Sequence, residues 1–347
     1  MNLTRWSITT FTALTVFSAP ALATKILIVT DQAKAVKAQE VAKLFKTTEP
    51  FSLMRDLSFE VIQTTSRKLG CETKAAALQE LSQLSDDDAL ARSESQDRLA
   101  DIHEAALLDN TKGRGLPPSC SGKDGSVPTR LVSCGSTTTK TYISGLLRSE
   151  KATYAIIVKD ESRYGGSGGA TPVITTGSPA SMAIHELMHR LGFADEYGYY
   201  NSCEADIYCD VQSSDVISKS GYGALPGTSF NVALFNSRAS YKTDAEVRTR
   251  HGSQIPWLSS IAKATKLTNS TKLGTPEANK VGIFRAIVCD KATKTMETWQ
   301  ATAPPNIMRT LSTTLIPKPY WPTLAKSLGT KISARLTSSP EDEESGK

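Results

Sequence analysis

The sequence predicts an α/β (α+β) fold in which helices cover a mixed, twisted β-sheet. Near the start, an apolar strand at 25–30, an amphipathic helix at 33–46 and an alternating strand at 57–64 are spaced as in a β-α-β unit. Further along, strands at 154–159 and 172–176 precede a helix that carries two histidines four residues apart. Ser178-Pro179 predicts the start of this helix, with serine as its cap. The remaining predicted elements are a helix at 142–148, a strand at 281–288 and a closing helix at 319–328.

The first 23 residues have the pattern of a cleavable signal peptide. Arg5 precedes an apolar run that is too short to span a membrane, and Ala21-Leu22-Ala23 offers small residues for cleavage before Thr24. We therefore expect an exported protein, secreted or periplasmic, without a membrane span. The formal net charge of +5 is mild and its basic residues are scattered, which argues against a nucleic-acid partner.

Six cysteines in an exported chain favour three disulfides, although the sequence does not fix their connectivity. We expect Cys120 and Cys134 to pin a long loop at 109–138, which is rich in Gly, Pro, Ser and Thr. Cys203 and Cys209 are close enough to close a small loop. No pair has the C-x-x-C spacing of a structural zinc site.

The histidine-bearing helix has the sequence His185-Glu186-Leu187-Met188-His189, followed by Gly192 and Asp195. Residues four apart lie on one helical face, so both imidazoles can bind one metal ion, and Glu186 can reach a water beside it. Gly192 predicts a left-handed cap that turns the chain back and brings Asp195 to the metal. Three protein ligands and one open position are typical of a catalytic zinc site.

The third ligand has alternatives. Asp195 is the predicted one because a short side chain suits a ligand on a tight turn, whereas Glu196 would point away in an extended chain. His251 is the other candidate, because imidazole binds zinc well.

The spacing H-E-x-x-H-x-x-G-x-x-D resembles the zincin metallopeptidases, and more narrowly the metzincins, with aspartate in place of the usual third histidine. The segments 164–169, 195–197, 255–257, 281–284 and 306–311 make residues 154–330 similar to the IgA-peptidase-like metallopeptidases. The resemblance implies a zincin-like fold, and it makes Met308 the methionine under the metal site. It also implies that an extended substrate binds along an edge strand, which we expect to be 172–176, with the glycines at 165–169 allowing close approach. A surface loop is the alternative for these glycines.

These observations predict a secreted zinc endopeptidase that acts on a protein or peptide, with Glu186 as general base. Candidate oxyanion donors are Tyr197, Tyr199, Tyr200 and Tyr320. One alternative is an exported binding protein that holds metal without cleaving, and another is a cell-wall hydrolase that cuts peptide cross-links. The predicted segments are a signal peptide (1–23), the N-terminal part of the catalytic fold (24–150), the catalytic region (151–330) and a disordered acidic tail (331–347).

Overall fold

The computed structural model describes residues 23–73, 132–198, 229–236, 244–251, 255, 257–258, 261, 281–288, 296–302 and 305–333. No helix among these residues is long and apolar enough to cross a membrane. The predicted signal peptide, apart from Ala23, lies outside them, as do residues 334–347 of the predicted tail. The beginning of that tail is ordered, because Ile332 forms a β-bridge with Met54.

The strands, in chain order, are β1 (Thr24–Thr30), β2 (Leu57–Gln63), β3 (Glu72–Thr73), β4 (Val132–Ser133), β5 (Tyr154–Lys159), β6 (Gly166–Ser167), β7 (Val173–Thr175), β8 (Val232–Asn236), β9 (Phe284–Ala286) and β10 (Met296–Gln300). The α-helices are α1 (Val36–Thr47), α2 (Thr137–Ser149), α3 (Ser181–Arg190), α4 (Asp244–His251) and α5 (Trp321–Ser327).

The central sheet has five strands in the order β2-β1-β5-β7-β6. The first four are parallel to one another, and β6 pairs antiparallel with β7 at the edge. Strand β1 lies between β2 and β5, with Ile28 opposite both Val61 and Ile156. The predicted β-α-β unit and the α/β class are therefore confirmed.

Both faces of the central sheet are covered, which explains why its inner strands β1 and β5 are continuous apolar runs, whereas the edge strand β2 alternates. Ile26, Ile28 and Ile174 lie in a core that includes residues of α1 and α3. Leu27 and Val173, on the opposite face, pack in a second core with residues of α2 and β4. The helix that carries the histidines is thus anchored to the centre of the fold.

In the part of the chain that the structure describes, the disulfide Cys71–Cys134 joins the two sides of the β3–β4 ribbon, and both cysteines pack against the second core. The expected pinning of the loop by Cys120 and Cys134 is wrong, because Cys134 pairs with Cys71. Cys120, Cys203, Cys209 and Cys289 lie outside the described residues. A structural disulfide is typical of extracellular and other oxidising compartments.

The C-terminal third forms a smaller antiparallel sheet, in the order β8-β10-β9, and then returns to the first sheet. The predicted strand at 281–288 is shorter, and forms β9. The predicted closing helix appears as a 3-10 turn, Lys318–Tyr320, followed by α5. Tyr154 at the start of β5 donates a hydrogen bond to the Ser327 carbonyl at the end of α5 (2.9 Å).

Helix α3 begins later than predicted. Ser178 does not cap it, because the Ser178 hydroxyl donates to the Gly165 carbonyl (2.7 Å) and accepts from the Gly165 amide (2.9 Å). The serine instead fastens the helix approach to the glycine-rich segment. At the other end the prediction is confirmed: Gly192 is left-handed (φ 98°) and the Phe193 amide donates back to the Met188 carbonyl (3.0 Å).

The predicted edge strand is also corrected. The segment at 172–176 contributes β7, which lies inside the sheet, and the edge beside α3 is β6 in the glycine-rich stretch. A Cβ on Gly166 would lie 2.7 Å from the Met182 sulfur, and one on Gly168 would lie 3.0 Å from the His189 Cβ. These glycines are required because α3 packs directly on them.

We predict that Gly192→Ala destabilises the protein. The left-handed backbone alone costs a non-glycine residue about 1–2 kcal/mol, and the new Cβ would lie 2.8 Å from the Phe230 ring. The matched control is Gly145→Ala within α2, where a Cβ meets nothing within 4 Å and alanine is favoured by about 0.5–1 kcal/mol. Urea denaturation should move in opposite directions for the two variants. Equal shifts would contradict the role assigned to the turn.

Candidate metal centre

Helix α3 is largely buried: His185 is buried, and the His189 side chain is 13% exposed. His185 is 1% exposed and Glu186 is 8% exposed. Leu187 and Met188, between the two histidines, pack in the main core. Ser181 at its start donates to the Leu311 carbonyl (2.7 Å), which ties the helix to the segment that follows the second sheet. A buried pair of imidazoles with a carboxylate between them calls for a chemical explanation.

Three electron-rich atoms converge at the end of α3. The Nε2 atoms of His185 and His189 are 3.0 Å apart, and the Asp195 Oδ1 atom lies 3.2 Å from each. Zinc–nitrogen bonds of about 2.0–2.1 Å place the ligand atoms of a tetrahedral site about 3.3 Å apart. The three predicted ligands are therefore brought together, as one group that could hold a metal ion.

Backbone carbonyls fix the tautomer of both imidazoles. His185 Nδ1 lies 3.0 Å from the Ile307 carbonyl, and His189 Nδ1 lies 2.9 Å from the Phe193 carbonyl. A carbonyl can only accept, so each Nδ1 carries a proton, and a ring that is neutral turns its Nε2 lone pair to the centre. Two lone pairs and a carboxylate oxygen facing one another favour a cation between them.

The pKa values of the clustered residues also favour a bound cation. Burial lowers the pKa of His189, but the Asp195 carboxylate raises it more, to about 9. Burial raises the pKa of Asp195, and the two imidazoles more than reverse this, so that its pKa lies well below the ordinary value. The cluster thus attracts positive charge. Its nitrogen and oxygen donors suit zinc and other divalent first-row metals.

Glu186 lies on the side of α3 that faces the edge strand. Its Oε1 atom is 3.2 Å from the position that a Cβ on Gly166 would take, and its charge contributes to raising the pKa of His189. A buried carboxylate is thus held between the metal ligands and β6. This position suits a base that acts beside the cluster rather than a fourth ligand.

The segment around Met308 forms a buried turn under the centre. The Ile307 carbonyl is the partner of His185, and the Met308 carbonyl accepts from the Glu196 amide (2.9 Å). The Asn306 side-chain oxygen accepts from the Met308 amide (2.9 Å) and shapes the turn. Met308 itself is fully buried. This segment therefore contacts the His185 ring and the residue after Asp195, and the role of Met308 under the metal stays a prediction.

Of the two alternative third ligands, the structure describes only the side chain of Glu196. Glu196 is not in the cluster: it is fully buried and receives hydrogen bonds from Asn306, Asn231 and Tyr320. Burial raises the pKa of Glu196 above its ordinary value, and these hydrogen bonds offset only part of that rise. The side chain of His251 lies outside the described residues.

The candidate oxyanion donors differ in whether their hydroxyl groups could reach a substrate. The Tyr320 hydroxyl is buried and donates to Glu196 Oε1 (2.6 Å), so it is not available to a substrate. The Tyr197 ring stacks at 6.1 Å from the His185 ring and remains a candidate. Tyr199 and Tyr200 lie outside the described residues.

The sequence did not identify Asn231 as part of this site. It lies 35 residues beyond Glu196, just before β8, yet it contacts the residues on both sides of Asp195. No local motif marks an asparagine at such a distance. A single buried asparagine before a strand has no signature of its own.

Comparison with protein-family models gives no match for this chain, and comparison with curated proteins gives no relative.

We predict that Asp195→Ala loses the metal while His251→Ala keeps it. The aspartate supplies one of three converging donor atoms, so its loss should weaken metal binding by more than the roughly 10–100-fold typical of outer-shell changes. Elemental analysis after dialysis measures the metal content, and circular dichroism checks that both variants are folded. Metal loss in the His251 variant alone would overturn the ligand assignment.

Proposed function

We propose that the protein is a secreted zinc endopeptidase that resembles the zincins and, among them, the IgA-peptidase-like metallopeptidases. The observation that carries the proposal is the Glu186 carboxylate beside the converging atoms of His185, His189 and Asp195. A site that only stores or senses metal has no use for an additional buried carboxylate. A hydrolase needs one as a base.

The surroundings of the cluster support this proposal. The mixed sheet ends in the edge strand β6, against which α3 packs, and the Ile307 carbonyl, next to Met308, is the partner of His185. The resemblance to the zincins implies an edge strand near the metal helix, and the resemblance to the metzincins implies a turn with methionine. The disulfide Cys71–Cys134 supports an exported protein.

Zinc bound by His185, His189 and Asp195 would lower the pKa of water and polarise the scissile carbonyl. The protein's own residues supply the remaining functions. Glu186 accepts a proton from the attacking water and delivers it to the leaving amine. The backbone of β6 offers an edge to which an extended substrate can add as a further strand, next to Glu186. Tyr197, beside His185, is the candidate donor to the oxyanion.

We expect EDTA to abolish cleavage of an unstructured protein such as casein, and added zinc to restore it. Removal of zinc takes away the group that polarises the carbonyl, whereas the disulfide and the core remain. The measurement is the release of soluble peptides from casein. Cleavage that continues in the presence of EDTA would refute the mechanism.

We expect Glu186→Gln to keep its zinc but to lose at least about a hundredfold in cleavage rate, because the amide cannot accept the proton. Zinc content by elemental analysis and the initial rate are measured on the same sample. The control is Glu40→Gln on α1, where the carboxylate forms an exposed ion pair with Lys37. Wild-type activity in Glu186→Gln would exclude this residue as the base.

A further possible outcome separates the alternatives. Wild-type protein that binds one zinc but cleaves no member of a broad peptide library would favour the metal-holding binding protein.

A further inference from the structure

Two neighbouring carboxylates at the end of the metal helix have opposite surroundings. Asp195 contacts the two imidazoles, whereas Glu196 is turned into a closed polar pocket. In that pocket Asn306 Nδ2 donates to Glu196 Oε2 (2.7 Å). Asn231 Nδ2 (2.9 Å) and the Tyr320 hydroxyl (2.6 Å) donate to Oε1. The donors come from three separate segments of the chain, so Glu196 joins them at one point.

The backbone on both sides of Asp195 is also held. Asn231 accepts from the Ala194 amide through Oδ1 (2.8 Å) and donates to the Ala194 carbonyl through Nδ2 (2.8 Å). The Glu196 amide donates to the Met308 carbonyl, and Arg309 donates to the Glu196 carbonyl. Asn231 therefore hydrogen-bonds both the residue before Asp195 and the residue after it.

These hydrogen bonds restrict the backbone around Asp195. Asp195 lies beyond the end of α3, in a stretch that forms neither helix nor strand. A loop ligand keeps its position only if other groups restrict its backbone, and outer contacts of this kind orient metal ligands. Glu196 also offers a longer carboxylate one residue away. Its three donors hold it away from the centre and leave Asp195 as the carboxylate that faces the imidazoles.

We propose that Asn231 is the positioning residue of the metal centre. By bonding Ala194 and Glu196 together it fixes Asp195 against His185 and His189, and Tyr320 assists by holding Glu196 Oε1. The role rests on the proposed metal site, but not on peptidase activity. Asn231 acts through the chain on either side of Asp195, by its hydrogen bonds to Ala194 and Glu196.

The test measures zinc affinity, by competition with a chromophoric chelator, separately from stability, by urea denaturation of the metal-free protein. Asn231→Ala should bind zinc about 10–100-fold more weakly. Tyr320→Phe removes only one hydroxyl and keeps the ring packed on Phe193, with the ring centroids 5.2 Å apart. It should therefore weaken zinc binding less than Asn231→Ala does. The stability control is Ile143→Ala in α2, on the opposite face of the sheet. It should lower the urea midpoint without changing zinc affinity.

Cobalt(II) provides a second readout, because its visible absorption reports the ligand geometry. The spectrum should change in Asn231→Ala and Tyr320→Phe but not in Ile143→Ala. Wild-type zinc affinity and spectrum in Asn231→Ala would overturn the proposal. If that variant does not fold, the same result in Tyr320→Phe overturns it. Equal weakening in Ile143→Ala would also overturn it.

The outcomes keep this inference distinct from the proposed function. Wild-type protein that binds no zinc refutes the metal centre and the positioning role together. Wild-type protein that binds zinc but cleaves nothing refutes the peptidase alone, and the affinity comparison still decides the role of Asn231.

Discussion

The structure depends on bringing two imidazole lone pairs and one carboxylate oxygen within 3.2 Å of one another in the interior. Such atoms repel one another unless a proton or a metal ion lies between them, so the surrounding chain must hold each of them in place. Backbone carbonyls hold the imidazoles by their Nδ1 atoms, and Asn231 with the Met308 turn holds the chain around Asp195. The fold supplies rigidity at the point where the side chains alone would separate.

The central sheet provides that rigidity. Helix α3 packs on a face built from β1, β5 and β7, and it also contacts β6 and the turn at 306–309. The close packing around α3 requires glycine at three positions. Gly166 and Gly168 let the helix approach β6, and Gly192 lets the chain turn back under it. The same packing that buries the ligands also limits how far they can move.

Local patterns in the sequence predicted the local parts of this structure. The β-α-β unit follows from apolar periodicity, the facing histidines from their spacing of four, and the left-handed turn from Gly192. The errors arose where a distant partner decided the outcome. Ser178 bonds Gly165 instead of capping α3, Cys134 pairs with Cys71, and Asn231 reaches across 37 residues to Ala194. No short window of sequence contains both partners of such a contact.

The span of these contacts has a consequence for the order of assembly. All three ligands lie between 185 and 195, but the carbonyl that orients His185 lies 122 residues beyond it. The Tyr320 hydroxyl that holds Glu196 lies 124 residues further along the chain. Contacts between such distant residues form late in folding, after the local ones. A nascent chain that already carries all three candidate ligands therefore still lacks the groups that orient His185 and hold Glu196. The centre takes its final geometry only after the segment from Ile307 to Tyr320 has folded against it.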